Sequence, residues 1–453
     1  MSAPTLTLGR KIAIGAGDFG FNLYWQFASL YLLYFYTDGL GLNPAIAGAI
    51  YMGALIWDAA LDPLIGLVAD KTRTRFGRYR PYLIFGAVPL GFIFVLNLMR
   101  PFQAHEAAIL FTALTHVAFR TVYAIVSIPY AALFARITRD SAQRGDLAGF
   151  RMVFATLAAV SVAALSLPFA NALGTLEDPL RGWTLIGAAY AVVAALTMWL
   201  TAWAAHGLDR VDDEPSVRHR PADVARSLFS NHALLVLLGA VVVGSFCSTL
   251  FGKNLLYYFK YVVGEEALGA TALTVGALTT ALFVPVWSVL LRFIGKRNIW
   301  ICGAVPGLTG LVLWHLLDGQ DPWLLIGCVA LQAVGAASYA VGLWSMLPDT
   351  VEYGEWKSGV RTESLVFGLT VLGQKAALGL GAGVLGFALT QIGYVPNAVQ
   401  TPETLADLKA LMFWIPLTGG LISLGFICLY PINRANHGRM VEDIAARKLA
   451  AAE

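Results

Sequence analysis

Two aspartates, Asp58 and Asp62, stand four residues apart in the apolar stretch Ile56-Trp57-Asp58-Ala59-Ala60-Leu61-Asp62-Pro63. On a helix that spacing puts both carboxylates on one face, a turn apart. Carboxylates at mid-bilayer depth are costly, and two on one face repel each other. Such a pair either shares a bound cation or proton, or is held by salt bridges that only fix helix packing. Pro63 has no N–H and its ring crowds the carbonyl of Ala59, which adds a third oxygen beside the carboxylates. An oxygen-rich pocket of this kind suits hard cations.

Other ionisable groups also fall in apolar stretches. Asp18 lies in Gly15-Ala16-Gly17-Asp18-Phe19-Gly20, whose small residues allow another helix to approach closely. His116 and Arg120 share one segment, Arg151 opens the next, and Lys253 and Lys375 lie further on, beside Asn254 and Gln374. Three acids thus face four permanent bases, as expected if they converge on a central cavity. Arg120, Ala124, Ser127 and Ala131 share one helical face, which offers a guanidinium and a hydroxyl. A guanidinium fork suits carboxylate, sulfonate or phosphate; alternatively, Arg120 pairs with a cavity aspartate. Arg151 stands near a segment end, where it either reaches the cavity or snorkels. His116 reads as a satisfied core histidine.

These residues need membrane helices to position them. Of 453 residues, 58% are hydrophobic and only 13% charged, against about 25% charged in a soluble domain. This excludes a large soluble enzyme. Twelve spans are predicted, near 12–36, 45–69, 81–100, 105–134, 147–172, 182–206, 231–262, 268–292, 298–317, 322–347, 363–391 and 406–431. All should be helical, because open strands leave backbone groups unpaired in lipid. The cysteines Cys247, Cys302, Cys328 and Cys428 all fall in apolar segments and form no C-x-x-C pair, so neither disulfide nor metal is implied. The first apolar segment follows a short N-terminus with no small-residue cleavage site, which argues against a removed signal peptide.

Basic residues follow the even-numbered spans: Lys71 to Arg80, then Arg136, Arg139 and Arg144, then Arg210, Arg218, Arg220 and Arg226, and so on to Arg434, Arg439, Arg447 and Lys448. The positive-inside rule then places both termini in the cytoplasm. The net charge of +3 shows no stripe suited to nucleic acid. The polar stretch 207–230 reads as a cytoplasmic linker between an N-terminal six-helix bundle, 1–206, and a C-terminal one, 231–431, with a cytoplasmic tail at 432–453. Phe76-Gly77-Arg78-Tyr79-Arg80 and Ile294-Gly295-Lys296-Arg297 occupy equivalent places in the two halves, which points to the major facilitator architecture.

The chain resembles the glycoside–pentoside–hexuronide:cation symporters, the family of the melibiose permease, over nearly its whole length. The resemblance rests on Gly17-Asp18-Phe19-Gly20, Tyr34-Phe35-Tyr36-Thr37-Asp38, Trp57-Asp58…Asp62-Pro63, Arg78-Tyr79-Arg80-Pro81, Ile128-Pro129-Tyr130, Tyr257-Tyr258-Phe259 and Asp349-Thr350-Val351-Glu352-Tyr353-Gly354-Glu355-Trp356-Lys357. It implies that Asp58 and Asp62 bind the coupling cation, and would be its metal ligands if that ion is sodium. It further implies that Asp18 and Arg151 bind sugar and that Lys375 approaches the cation site. Glu352 to Arg361, including Lys357, correspond to a cytoplasmic loop tied to conformational change. The chain departs from the pattern at Ser127 and Ala131, where the permease has a sugar-binding aspartate and a tryptophan. It departs again at Leu61 and Ala124, where neutral sodium ligands are expected. These departures tilt the expectation toward protons, and Arg120 and Lys253 make an acidic sugar a reasonable substrate.

The reading is therefore an all-helical inner-membrane secondary transporter, not an enzyme and without a cofactor. It would import a sugar or sugar derivative with a proton or sodium ion by alternating access, in contact with membrane lipid and not nucleic acid. Substrate would meet Asp18, Arg120, Ser127, Arg151 and Lys375; Lys375, Glu352, Lys357 and Arg361 would serve coupling or gating. The alternative is a cation-coupled carrier of amphipathic lipids such as lysophospholipids. No metal-ligand spacing, nucleophile elbow or phosphate loop supports a membrane enzyme.

Overall fold

The computed structural model describes residues 6–138, 140–209 and 227–450. Arg139 and the arginines 210, 218, 220 and 226, with most of the expected linker, lie outside the described residues. The described chain is helical, and its one β pairing is a bridge between Thr74 and Gly77. Among the described residues, ten helices are long and apolar enough to cross a membrane. Their outward residues are large and apolar, among them Leu64, Leu67, Val68, Leu110, Leu114 and Val192. In water such a surface would aggregate, whereas in lipid it is the expected exterior.

The expectation of twelve uninterrupted spans differs from this at two segments. The first is divided into α1 (Leu8–Gly15), α2 (Gly17–Leu30) and α3 (Leu32–Tyr34), followed by a π-helical turn, Phe35–Gly39. The third is the shorter α5 (Arg80–Leu96), with a proline at each end of its first half, Pro81 and Pro89. The chain clusters into two compact units.

The first unit holds residues 1–214 together with 259–274 and 382–404. It contains α4 (Pro44–Lys71), α6 (His105–Arg136), α7 (Ser141–Leu173) and α8 (Leu180–Ala204). Asn43 caps α4 by accepting the Ala45 N–H at 2.9 Å, and Pro44 supplies the preset first turn. α2 packs on α7 and α8, α4 on α6, and α5 on α6 and α8. The glycines of the first segment permit this approach. A Cβ on Gly17 would lie 2.8 Å from Thr201 Oγ1, and one on Gly15 2.8 Å from Phe150 Cβ.

The second unit holds the described part of 215–258, with 275–381 and 405–453. Its helices are α9 (His232–Tyr257), most of α10 (Glu266–Ile294), α11 (Lys296–Leu317), α12 (Pro322–Ser358), the first part of α13 (Glu363–Gln391), most of α14 (Pro402–Cys428) and α15 (Arg434–Ala450). Leu237, Trp300, Leu347, Tyr430 and Met440 share one core. One expectation changes here. The segment from Glu352 to Lys357, expected as a loop, continues α12 through Ser358 and stops at Gly359, whose φ of 73° is left-handed. Within the expected tail, Arg434–Ala450 forms α15, which packs on α12.

The repeated glycine turn appears in both units. Gly77 has φ 108° and Gly295 φ 85°, each just before a helix. In the first unit the Asp209 carboxylate crosses this turn and accepts the N–H groups of Tyr79 at 2.7 Å and Arg80 at 3.0 Å, capping α5 from outside.

Candidate functional site

Asp18 sits in the first turn of α2 and is 8% exposed. Arg151 of α7 grips it with two nitrogens: Nε donates to Oδ2 and Nη2 to Oδ1, the latter at 3.1 Å. Tyr130 of α6 donates its hydroxyl to the same Oδ2 at 2.6 Å. The Arg151 guanidinium also lies 4.3 Å from the centre of the Phe134 ring and 5.2 Å from that of Tyr130. The cluster thus satisfies a carboxylate with charge-assisted donors and brings together two residues expected to act together. Tyr130 stands in the family mark Ile128-Pro129-Tyr130 but carried no expected role in the site. Its signal, a tyrosine after Ile128-Pro129, is indistinguishable from an ordinary aromatic in a tyrosine-rich chain.

Asp58 is fully buried on α4 and Asp62 partly buried one turn on. The register of α4 on α6 places them. Tyr51 packs edge-on against His116 at 5.3 Å, and Trp57 Nε1 donates to Thr121 Oγ1 at 2.9 Å. The two helices therefore run parallel, offset by about 64–65 residues. By that register Asp58 is roughly level with Tyr123 and Asp62 with Ser127, while Arg120 stands about a turn from Asp58. Tyr123 lies within electrostatic reach of Arg120, Asp58, Asp18 and Asp62 alike. Ala124 is buried, so its position offers the carboxylates no oxygen. Ser127 is partly buried and does offer one.

Arg120 is 2% exposed. Its guanidinium lies 5.4 Å from the Trp25 ring, 5.7 Å from Tyr51 and 5.8 Å from Phe119. Its Nε donates to His116 Nε2 at 3.4 Å. An accepting Nε2 requires a neutral imidazole with its proton on Nδ1. His116 is thus a core histidine with a defined partner.

In the second unit, Lys375 is partly buried on α13 and Lys253 buried on α9. Glu352, Lys357 and Arg361 are not gathered into one group. Glu352 Oε2 meets His437 Nε2 of α15 at 2.5 Å. Lys357 is exposed, with its ammonium 4.8 Å from the Trp356 ring centre. Arg361 pairs with Glu355 at 3.0 Å and Glu363 at 2.8 Å. Both carboxylates hold the Arg361 guanidinium more firmly protonated than usual. Asp349, 5% exposed, joins Lys296 at 2.6 Å. Asp349, Glu352 and His437 bring their ligand-type atoms within 4.8 Å of one another, but the Lys296 ammonium already balances Asp349.

A further hub in the first unit went unread in the sequence. The Asp38 carboxylate accepts Lys260 Nζ at 2.7 Å, the Tyr261 hydroxyl at 2.5 Å and the Tyr394 hydroxyl at 2.8 Å. Asn397 donates to the Asp38 carbonyl at 2.8 Å and accepts from Lys260 at 2.7 Å. Partners so distant in sequence leave no local pattern.

A model of the MFS/sugar transport protein family matches residues 13–434. The chain belongs to that family. Among curated relatives it is 30% identical over 465 residues to a putative sulfoquinovose importer of Salmonella typhimurium, covering 98% of this chain and 94% of the relative. It is 27% identical over 446 residues to a glucuronide carrier protein homolog of Escherichia coli, covering 96% and 95%. Among solved structures, a bacterial homologue of the human peptide transporters PepT1 and PepT2 superposes with a TM-score of 0.66 at 15% identity, covering 94% of this chain and all but 1% of the other, 99%. That likeness shows the fold alone, and it is the major facilitator fold. The family resemblance read from the sequence holds. The protein is a multi-pass membrane transporter of the sugar-symporter type and not an enzyme. An amphipathic-lipid carrier is not supported by these relatives.

Proposed function

We propose that this transporter imports a sugar derivative with a proton or a sodium ion, and that its first unit holds both ligands. The observation that carries the reading is the Asp18–Arg151–Tyr130 cluster on the same unit as Asp58 and Asp62. Asp18 accepts from sugar hydroxyls when Arg151 and Tyr130 share it with the substrate. Ser127 supplies a further hydroxyl. The coupling ion settles between Asp58 and Asp62, removes their repulsion and favours the substrate-binding state. Linkage then requires each ligand to tighten the other by the same factor.

With Leu61 and Ala124 apolar, a sodium ion would find few neutral ligands, whereas a proton needs a single carboxylate. That supports proton coupling. The division into bundles 1–206 and 231–431, the inner-membrane location and the cytoplasmic termini belong to the same proposal. The sulfoquinovose and glucuronide relatives support an acidic sugar as substrate.

Asp62→Asn removes one coupling carboxylate at little change in volume. The variant is expected to exchange labelled substrate across proteoliposomes while failing to accumulate it. Accumulation against a gradient by Asp62→Asn would show that coupling lies elsewhere.

A further inference from the structure

We infer that Arg120 is a binding site for the anionic group of the substrate, a carboxylate or sulfonate carried on the sugar. The inference rests on the sugar-transport reading and deepens it. A guanidinium keeps its charge in any protein environment, and burying it without an anion is costly. Arg120 is 2% exposed, yet among the described residues no carboxylate stands within ion-pair distance of it. Among the described residues, its hydrogen bond runs from Nε to the neutral acceptor His116. The four N–H groups on its two Nη atoms form the fork that matches an oxyanion bidentately. The rings of Trp25, Tyr51 and Phe119 offset part of the burial cost through their faces. They hold the charge in place without cancelling it.

The surroundings suit a glycoside. Trp25 and Tyr123 are half-buried and their ring centroids lie 6.1 Å apart, beside Arg120 on the way to Asp18. A sugar ring there would set its acidic substituent on Arg120. Ten residues along α6, about 15 Å, separate Arg120 from Tyr130.

The test measures binding to the purified full-length protein by thermal shift and calorimetry. The probes are methyl glucuronide, methyl sulfoquinovoside and the neutral methyl glucoside. The acidic glycosides are expected to bind at least about ten-fold more tightly than the neutral one. Arg120→Gln should erase that preference, and Arg120→Lys should retain part of it by keeping the charge without the fork. Equal or tighter binding of methyl glucoside by the wild type would overturn the inference, as would undiminished binding of both acids by Arg120→Gln. The wild-type comparison decides the matter even if a variant misfolds. Gradient-driven uptake separates the two readings. If neutral glycosides accumulate while acidic ones are ignored, the sugar-transport reading stands and the Arg120 site falls. If no glycoside of either charge binds or moves, both fall.

Discussion

Arg151 and Arg120 lie in the same unit, each in contact with aromatic rings, and they differ in one respect. Arg151 is clamped on Asp18 with Tyr130 as a third partner. Among the described residues, Arg120 meets three rings and an imidazole and forms no ion pair. A guanidinium already neutralised by its own chain is poised to share its partner with a substrate hydroxyl. One buried without an anion is poised to receive a charge from outside. On the proposed reading, two residues of one type in one unit would serve different parts of one ligand because their local charge balance differs.

The largest effect expected from breaking this contrast comes at Asp18. Asp18→Asn leaves Arg151 uncompensated in a largely buried place, where losing a partner costs about 3–5 kcal/mol. Initial uptake of any glycoside should fall about 100-fold or more, whatever its charge. Uptake within two-fold of wild type would make the Asp18–Arg151 pair a packing element only. At Arg120 the loss is selective: Arg120→Gln should weaken acidic glycosides about 10–100-fold in equilibrium binding and leave neutral ones nearly unchanged.

The Asp38 hub sharpens the comparison from outside it. Asp38 is paired with Lys260 and two tyrosine hydroxyls, with no role assigned in ligand binding. Asp38→Ala should lower the melting temperature in detergent while preserving the ratio of acidic to neutral ligand affinity. A changed ratio would mean that the hub reaches the ligand. The smallest effect is expected at Tyr130. Removing its hydroxyl in Tyr130→Phe deletes one of three donors to Asp18, so uptake should drop about three- to ten-fold through KM, with the Asp18–Arg151 pair retained. Unaltered kinetics would remove Tyr130 from the site.

The sequence made some of this visible and hid the rest for physical reasons. Asp58 and Asp62 stand out because charge is rare in apolar helices, and their spacing alone places them on one face. Asp18, Arg120 and Arg151 were visible for the same reason. Their partners were not, because Tyr123 and Tyr130 are chemically ordinary among 17 tyrosines. The Asp38 hub depends on residues 222 and 356 positions away, at Lys260 and Tyr394. The family resemblance implied a loop from Glu352 to Arg361, of which the stretch to Lys357 is helical. It stays helical because Tyr353 and Trp356 pack against the second unit's core and Asp443 of α15 accepts the Trp356 indole N–H at 2.9 Å. The early ends of α3 and α5 were likewise hidden, since apolar residues run on past both.

The central claim is that ion binding at the paired carboxylates drives sugar uptake. It is tested most directly by uptake of labelled methyl glucuronide into proteoliposomes under an imposed proton or sodium gradient. The account predicts accumulation above equilibrium under one of these gradients, abolished when that gradient is collapsed. Uptake that stops at equilibrium under both gradients, with transport otherwise active, would contradict it.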